Sequence, residues 1–284
     1  MLNDFLVRII ACFIPNTQKR RAWRARHLTS AKMQRIETIA DEIARRAYIN
    51  KLNLAAACLH SDTFAKYKNC FAGQDVVLIA GGASVRDFNP IKGAIYVGVN
   101  RAYKFDKVKL DYLFVCDWRG FTDIEDIMKL PYKPVKFYGI LPPDMSRIDG
   151  RSILIPESVA IRHGASRFYI KDNADRNVPV DELNITYDIS AFPLTCFSSV
   201  VSPAMQFILY GNPRRIYLVG CDCNSEPHFY NNKKSQLYLP GIMEGWYKIR
   251  DFARDYYPET EIISVNPVGL RGVFKDLYQK KDER

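Results

Sequence analysis

The stretch Val76-Val77-Leu78-Ile79-Ala80-Gly81-Gly82-Ala83-Ser84 decides the fold. VVLIA is apolar at every position, without the alternation of a half-exposed strand. Such runs form strands covered on both faces, as in a parallel sheet. The glycine pair then ends the run. Glycines let the backbone come close to an anion, and free N–H groups at a turn or helix start hold phosphate. Ser84 adds a hydroxyl donor. The loop is not G-x-G-x-x-G, because Arg stands at position 86, and no Walker lysine follows. A tight strand exit would use the same glycine pair.

Outward from this stretch the pattern recurs. Ile95–Val99, Tyr112–Cys116 and Ile216–Gly220 are equally short and apolar, and Val135–Tyr138, Ile153–Ile155 and Ile262–Val265 are weaker runs. Helical stretches separate some of them, notably Pro203–Tyr210 and Ile242–Tyr256. Alternating strands and helices predict an open α/β sheet, mostly parallel. Each strong run ends in polar or small residues: Gly81-Gly82-Ala83-Ser84, Asn100, Asp117, and Cys221-Asp222. Ligands of open parallel sheets bind outside the carboxyl ends of the strands, so these residues converge on one edge. Asn100 can hydrogen-bond a base or ribose, or form an Asx turn. Asp117 can bind a ribose hydroxyl or a metal, or cap a helix. Ser198 and Ser199 precede the helix at Pro203 and can cap it, hold a phosphate or carboxylate, or both.

The segment Asp222–Tyr238 is polar, aromatic and long, the profile of a lid. It carries Asp222, Glu226, His228, Tyr230 and Tyr238, and its histidine can serve as a base near neutral pH.

Before position 71 the sequence reads differently. Met33, Ile36, Ala40, Ile43 and Ala47 recur at helical spacing, and Leu52–Tyr67 reads as one or two more helices. Phe5–Ile14 is apolar except for Arg8 and stops at Pro15. A helix of that length reaches about 15 Å, half of a hydrocarbon core, so it does not span. Its basic residues follow the apolar run, the reverse of a secretory signal. Lys19, Arg20, Arg21, Arg24 and Arg26 form a cluster without an acid, with Trp23 among them. Residues 1–27 are therefore expected to lie on an anionic membrane surface. A helix packed on the protein's own core, with a solvated basic face, is the alternative.

The 284-residue chain carries a formal charge of +10 with ordinary hydrophobic (48%) and charged (25%) fractions. That composition suits a folded protein with an anionic ligand or surface. The basic residues sit beside an apolar segment and are not interleaved with aromatics over a sheet face, which argues against nucleic acid. Seven scattered cysteines show neither a disulfide framework nor C-x-x-C spacing, so a reducing, cytoplasmic setting is expected. Two regions follow: residues 1–70, helical and basic, and residues 71–284, a nucleotide-binding α/β domain.

Leu78-Ile79-Ala80-Gly81-Gly82-Ala83-Ser84-Val85 resembles the opening motif of a family of bacterial sialyltransferases. Val97-Gly98-Val99-Asn100-Arg101-Ala102-Tyr103 is similar to that family's second motif. Phe197-Ser198-Ser199-Val200, then Ile216 to Asp222, resembles a third segment. The resemblance spans roughly Val76 to Asn266. It implies a single Rossmann-like domain with a lid and an inverting, metal-independent transfer from a CMP-sugar, with no further cofactor. It implies that Gly82, Ser84 and Asn100 hold the nucleotide, and that Ser198 and Ser199 lie near phosphate or sugar. Tyr230 and Tyr238 become candidates for stabilising the leaving phosphate. Val200 stands where the family has glycine. Leu237-Tyr238-Leu239-Pro240-Gly241 occupies the place of its catalytic histidine, so the base is unassigned, with His228 nearby. Apolar-then-basic starts resemble those of enzymes that build lipopolysaccharide and capsule. The implied partners are a nucleotide-sugar donor, a glycan or glycolipid acceptor and the inner face of the cell membrane; an oligomer is allowed. A related family of flagellin-modifying proteins and an archaeal pterin pyrophosphokinase is similar at Leu110–Asp117. It implies Mg²⁺-dependent transfer from ATP, with Asp117 and Asp222 as metal ligands. A non-catalytic membrane protein that keeps the nucleotide fold is a third reading.

Overall fold

The computed structural model describes residues 4–116, 123–140, 154–172, 183–232, 234 and 239–279. The chain divides into two compact units, Met1–Lys51 and Leu52–Arg284. In the first, α1 (Asp4–Cys12) is followed by α2 (Thr17–Phe64), whose residues from Leu52 onward belong to the second unit. The break falls at Pro15, which cannot continue a helix, and Asn16 Oδ1 accepts the Lys19 N–H at 3.0 Å to start α2. None of the described helices is long and apolar enough to cross a membrane.

The second unit is an α/β fold built on one nine-stranded sheet. Its strands are β1 (Asp75–Ile79), β2 (Ile95–Val99), β3 (Tyr112–Val115), β4 (Val135–Ile140), β5 (Ser166–Asp172), β6 (Leu194–Cys196), β7 (Arg215–Val219), β8 (Glu261–Val265) and β9 (Lys275–Leu277). The spatial order is β6-β5-β4-β3-β2-β1-β7-β8-β9, and all eight pairings are parallel. The helices are α3 (Glu157–Arg162), α4 (Val201–Tyr210) and α5 (Leu239–Tyr256). The predicted Rossmann-like open sheet is thus present. Ile153–Ile155 is not the strand expected: its described residues, Leu154 and Ile155, form a buried connection in which the Ile155 N–H bonds the Gly139 carbonyl at 3.1 Å. Pro156 follows and opens α3, so the run has no room to extend. The neighbour of β4 is instead β5, which sequence reading missed along with β6 and β9.

β1 lies between β2 and β7, and from there the chain winds outward in opposite directions. This is the topological switch point, where adjacent loops part and leave a crevice. One face of the sheet carries stacked rings: Phe64, Phe114, Phe137, Phe168 and Phe207, with Phe114 and Phe137 centroids 4.7 Å apart. α4 is buried along its whole length. Gln206 inside it accepts from Thr186 and Thr195 N–H groups and donates to the Thr195 and Ser202 carbonyls. Every hydrogen-bonding position of this buried amide is used, so it is tolerated, and it fixes α4 against β6.

Candidate functional site

A cavity of about 520 Å³ opens at the carboxyl edge of the sheet. Residues at or after the ends of β1, β2, β3, β5, β6 and β7 line it, together with the start of α4 and the first turns of α5. Gly81, Gly82, Asn100, Ser198, Ser199, Asp222, His228 and Tyr230 all reach it. Asp117 and Tyr238 lie outside the described residues.

The glycine loop is stitched to the exit of β7. The Gly82 N–H donates to the Gly220 carbonyl at 2.7 Å, and the Ser84 N–H donates to Asp222 Oδ2 at 3.0 Å. The Ser84 hydroxyl donates to Asp222 Oδ1. Asp222 is 6% exposed. Its carboxylate is therefore spent on shaping the loop, and the Ser84 hydroxyl faces it. Gly82 has a steric reason: a Cβ there would lie 2.5 Å from the Gly220 oxygen and 2.6 Å from Asp222 Oδ1. Gly220 has φ +67°, the left-handed region open to glycine.

The segment after Asp222 folds over this loop. The Phe229 N–H donates to the Gly81 carbonyl at 3.0 Å, and Arg86 donates to the Phe229 carbonyl at 2.9 Å. The His228 ring also hydrogen-bonds the Gly81 carbonyl. One ring nitrogen must carry that proton, which leaves the other as an acceptor in the neutral form. Burial holds the His228 pKa below the usual imidazole value; the Gly81 bond opposes this, and the nearby Arg101 charge adds to it. Tyr230 lies beside His228, ring centroids 5.1 Å apart, with the Arg101 guanidinium 5.5 Å from its centroid.

Arg101 is anchored by Asp123 at 2.8 Å, and Lys104 bonds the same carboxylate. Sequence reading named neither Arg101 nor Asn231 as site residues, although both line the cavity. For Arg101 the available signal was its place immediately after Asn100 at a strand end. Asn100 forms no side-chain cap on the turn Asn100–Lys104; its Oδ1 is buried without a hydrogen-bond partner, as is Asn231 Oδ1. Ser199 Oγ lies 3.4 Å from the Val201 nitrogen, at the opening of α4. Asn100, Ser198 and Cys223 have φ of +48°, +54° and +46°, and all three line the cavity. Among the described residues, no group of three or more His, Cys, Asp or Glu side chains is placed to hold a metal ion.

No family model matches the chain, and no curated protein matches it. One similar solved structure is that of the sialyltransferase CstII from Campylobacter jejuni in complex with the substrate analogue CMP-3FNeuAc. It is 14% identical, with 72% of this chain and 86% of that chain covered and a TM-score of 0.45. A likeness this loose carries no residue assignment.

Proposed function

We propose that the Leu52–Arg284 unit is a glycosyltransferase that takes its sugar from a nucleotide-activated donor. The observation that carries the reading is the meeting, in one cavity, of a glycine loop, an unpartnered Asn100 oxygen, the start of α4 and a half-buried His228. The start of α4 favours phosphate, and the glycines at Gly81–Gly82 let the backbone approach it closely. Asn100 Oδ1 suits a donor group on a base or ribose, and Ser198 and Ser199 suit the phosphate or sugar.

In the proposed step the acceptor hydroxyl gives its proton to the free nitrogen of His228. Its oxygen bonds the anomeric carbon from the face opposite the phosphate. The bond from that carbon to the phosphate oxygen breaks, and its electron pair leaves with the nucleotide. Tyr230 and the α4 N-terminus face the developing charge. Asp222 acts by holding the loop. Tyr238 as a second phosphate donor and Asp117 as a ribose ligand belong to the same proposal. The finer reading is a CMP-sugar donor, inversion and independence from metal, resting on the motif resemblance around Gly82, Asn100 and Asp222.

The acceptor we infer is a bacterial surface glycan or glycolipid met at the inner face of the membrane. Supporting this, Leu6 and Ile9 of α1 and Phe13 in the turn after it are 43%, 40% and 80% exposed, ahead of the basic start of α2 in sequence. Full-length protein is expected to pellet with anionic vesicles at low salt and to lose this in Phe13→Asp; failure to pellet removes the membrane reading.

Thermal unfolding with CMP, UDP, GDP and ATP, each with and without Mg²⁺, tests the site. CMP is expected to stabilise without metal. A shift with UDP or GDP but not CMP overturns the CMP donor and leaves the class standing. A shift with ATP and Mg²⁺ alone points to pyrophosphoryl transfer. No shift with any nucleotide removes the proposal.

A further inference from the structure

Among the described residues, five buried side-chain polar atoms have no hydrogen-bond partner, and two of them, Asn100 Oδ1 and Asn231 Oδ1, belong to residues that line the same cavity. An orphaned buried acceptor costs stability and calls for an explanation. Asn231 is held through its backbone, whose N–H donates to the His228 carbonyl at 3.2 Å, and this leaves its amide oxygen unused.

The two asparagines are brought to one place. Asn100 and Arg101 follow the end of β2, and Tyr230 and Asn231 stand in the segment after β7. The Arg101 guanidinium lies 5.5 Å from the Tyr230 ring centroid, so the two pairs of residues meet. In each pair one residue joins the segments and its neighbour carries an orphaned oxygen. Both oxygens also belong near the glycine loop. The Phe229 N–H donates to the Gly81 carbonyl at 3.0 Å, and Asn231 follows two residues later, a reach of at most about 7 Å. Both asparagines are half-buried. An amide turns easily about its last torsion, so a donor arriving in the cavity can draw either oxygen onto itself.

The missing partner must donate, because a carboxamide oxygen only accepts. Phosphate oxygens accept as well, so the phosphate of a nucleotide does not satisfy these residues. What fits is a pair of donors held close together and next to the phosphate. A ribose supplies them as 2′- and 3′-hydroxyls on adjacent carbons. In doubly wound sheets an acidic residue about 20 positions beyond the glycine turn takes the ribose hydroxyl, and here Asn100 stands 18 positions after Gly82. A carboxylate has two oxygens for two hydroxyls. Asn100 has one, so the second hydroxyl needs a second acceptor, and Asn231 is the residue with one to offer.

Resting on the nucleotide reading of the cavity, we propose that Asn100 and Asn231 together receive the 2′- and 3′-hydroxyls of the donor's ribose, and that Asn231 is a specificity-determining residue for ribonucleotides. Sugars linked to a 2′-deoxyribonucleotide are then poor donors, whatever the base.

Calorimetric titration of the full chain with CMP, 2′-deoxy-CMP, 3′-deoxy-CMP and UMP tests this. The wild type is expected to bind each deoxy form roughly tenfold more weakly than CMP. Asn231→Ala should weaken CMP roughly tenfold and erase the penalty for one deoxy form while keeping the other. Its melting temperature should hold or rise, because the oxygen it loses has no partner in the free protein. A residue that merely braced the segment after β7 would lower the melting temperature and weaken all four ligands by one factor. Asn231→Asp keeps an acceptor and should keep the preference for ribose. If UDP or GDP binds in place of CMP, the same comparison is made with its own 2′- and 3′-deoxy forms. Equal binding of ribo and deoxy forms overturns the inference and leaves the nucleotide reading standing. So does an Asn231→Ala protein that keeps both deoxy penalties, or one that changes the ratio of CMP to UMP instead, which would assign the pair to the base. Binding of no nucleotide at all removes the nucleotide reading and this inference with it.

Discussion

Replacing Gly82 by alanine probes the junction between β1 and β7 directly. The new Cβ would lie 2.5 Å from the Gly220 oxygen and 2.6 Å from Asp222 Oδ1, and closer still to its Cγ. The carboxylate must move by nearly an ångström, and it is 6% exposed with both Ser84 donors on it. Overpacking of this kind costs about 1–3 kcal/mol, and a charge-assisted hydrogen bond lost at a buried site about 1.5–3 kcal/mol. These overlap and do not add in full, so a net loss of about 3 kcal/mol is expected. For a domain of this size that lowers Tm by about 6–12 °C. Two glycines serve as controls. Gly93→Ala meets nothing within 4 Å but keeps φ +77°, so it should cost only about 1 kcal/mol. Gly81→Ala meets His228 Nδ1 and Tyr230 at 3.2 Å, side-chain atoms that can shift. It should cost little stability and much turnover. Two of the three closest atoms at Gly82 belong to Asp222, so the cost of Gly82→Ala should shrink in an Asp222→Ala background. The reasoning is refuted if Gly82→Ala matches the wild type within about 0.5 kcal/mol, or if its cost is unchanged when Asp222 is absent.

A base must be neutral to act, so kcat/KM should rise with pH on an acid limb whose midpoint lies below the ordinary histidine value of 6.5; His228→Gln should remove that limb and cost about 10²–10⁴-fold, and a retained limb assigns the base elsewhere. His60 is buried, its pKa pushed down to about 4 by desolvation, with Nε2 accepting the Tyr169 N–H and Nδ1 facing the Ile189 and Phe192 carbonyls. Because the unfolded chain takes up this proton first, its stabilising contribution is full above about pH 6.5 and is lost as pH falls toward 4, by about 3 kcal/mol. Urea midpoints at pH 7 and 4.5 should converge more for His60→Gln than for the wild type. In Asn100→Gly the positive φ is relieved and the unpartnered oxygen removed, so stability should hold or rise while nucleotide affinity falls roughly tenfold or more; unchanged affinity sinks the role given to Asn100.

The strong apolar runs were legible because strands buried on both faces need nothing but apolar residues, and their polar ends fall at the carboxyl edge by topology alone. β5 was hidden because Ser166–Asp172 holds only a three-residue apolar run, Phe168-Tyr169-Ile170, between Arg167 and Lys171, although Phe168 and Ile170 belong to the core. β6 and β9 are three residues long, too short for any periodic signal. The helical readings of residues 30–47 and 52–67 had the period right but divided what is one helix, Thr17–Phe64, in which no proline or glycine intervenes. Within the cavity, the residue types that bind ligands could be named from strand ends. The use of Asp222 could not, since only the fold brings it to Ser84 across 138 residues.

That distance in sequence explains how the site divides its labour. Asp222 and Ser84 satisfy each other, Gly82 and Gly220 make room for them, and the loop is held before any ligand arrives. Of the six described non-glycine residues with left-handed backbone, three line the cavity. Left-handed backbone at a non-glycine residue costs of order 1–3 kcal/mol and persists only where the surroundings enforce it. Asn100, Ser198 and Cys223 meet that condition around one opening, and α4, locked by Gln206, supplies part of the enforcement next to Ser198. A tight strand exit accounts for the glycines but not for strained polar residues on two other strand ends with an unpartnered oxygen among them. Those features cost stability, and a site preorganised for a polar ligand accounts for them together.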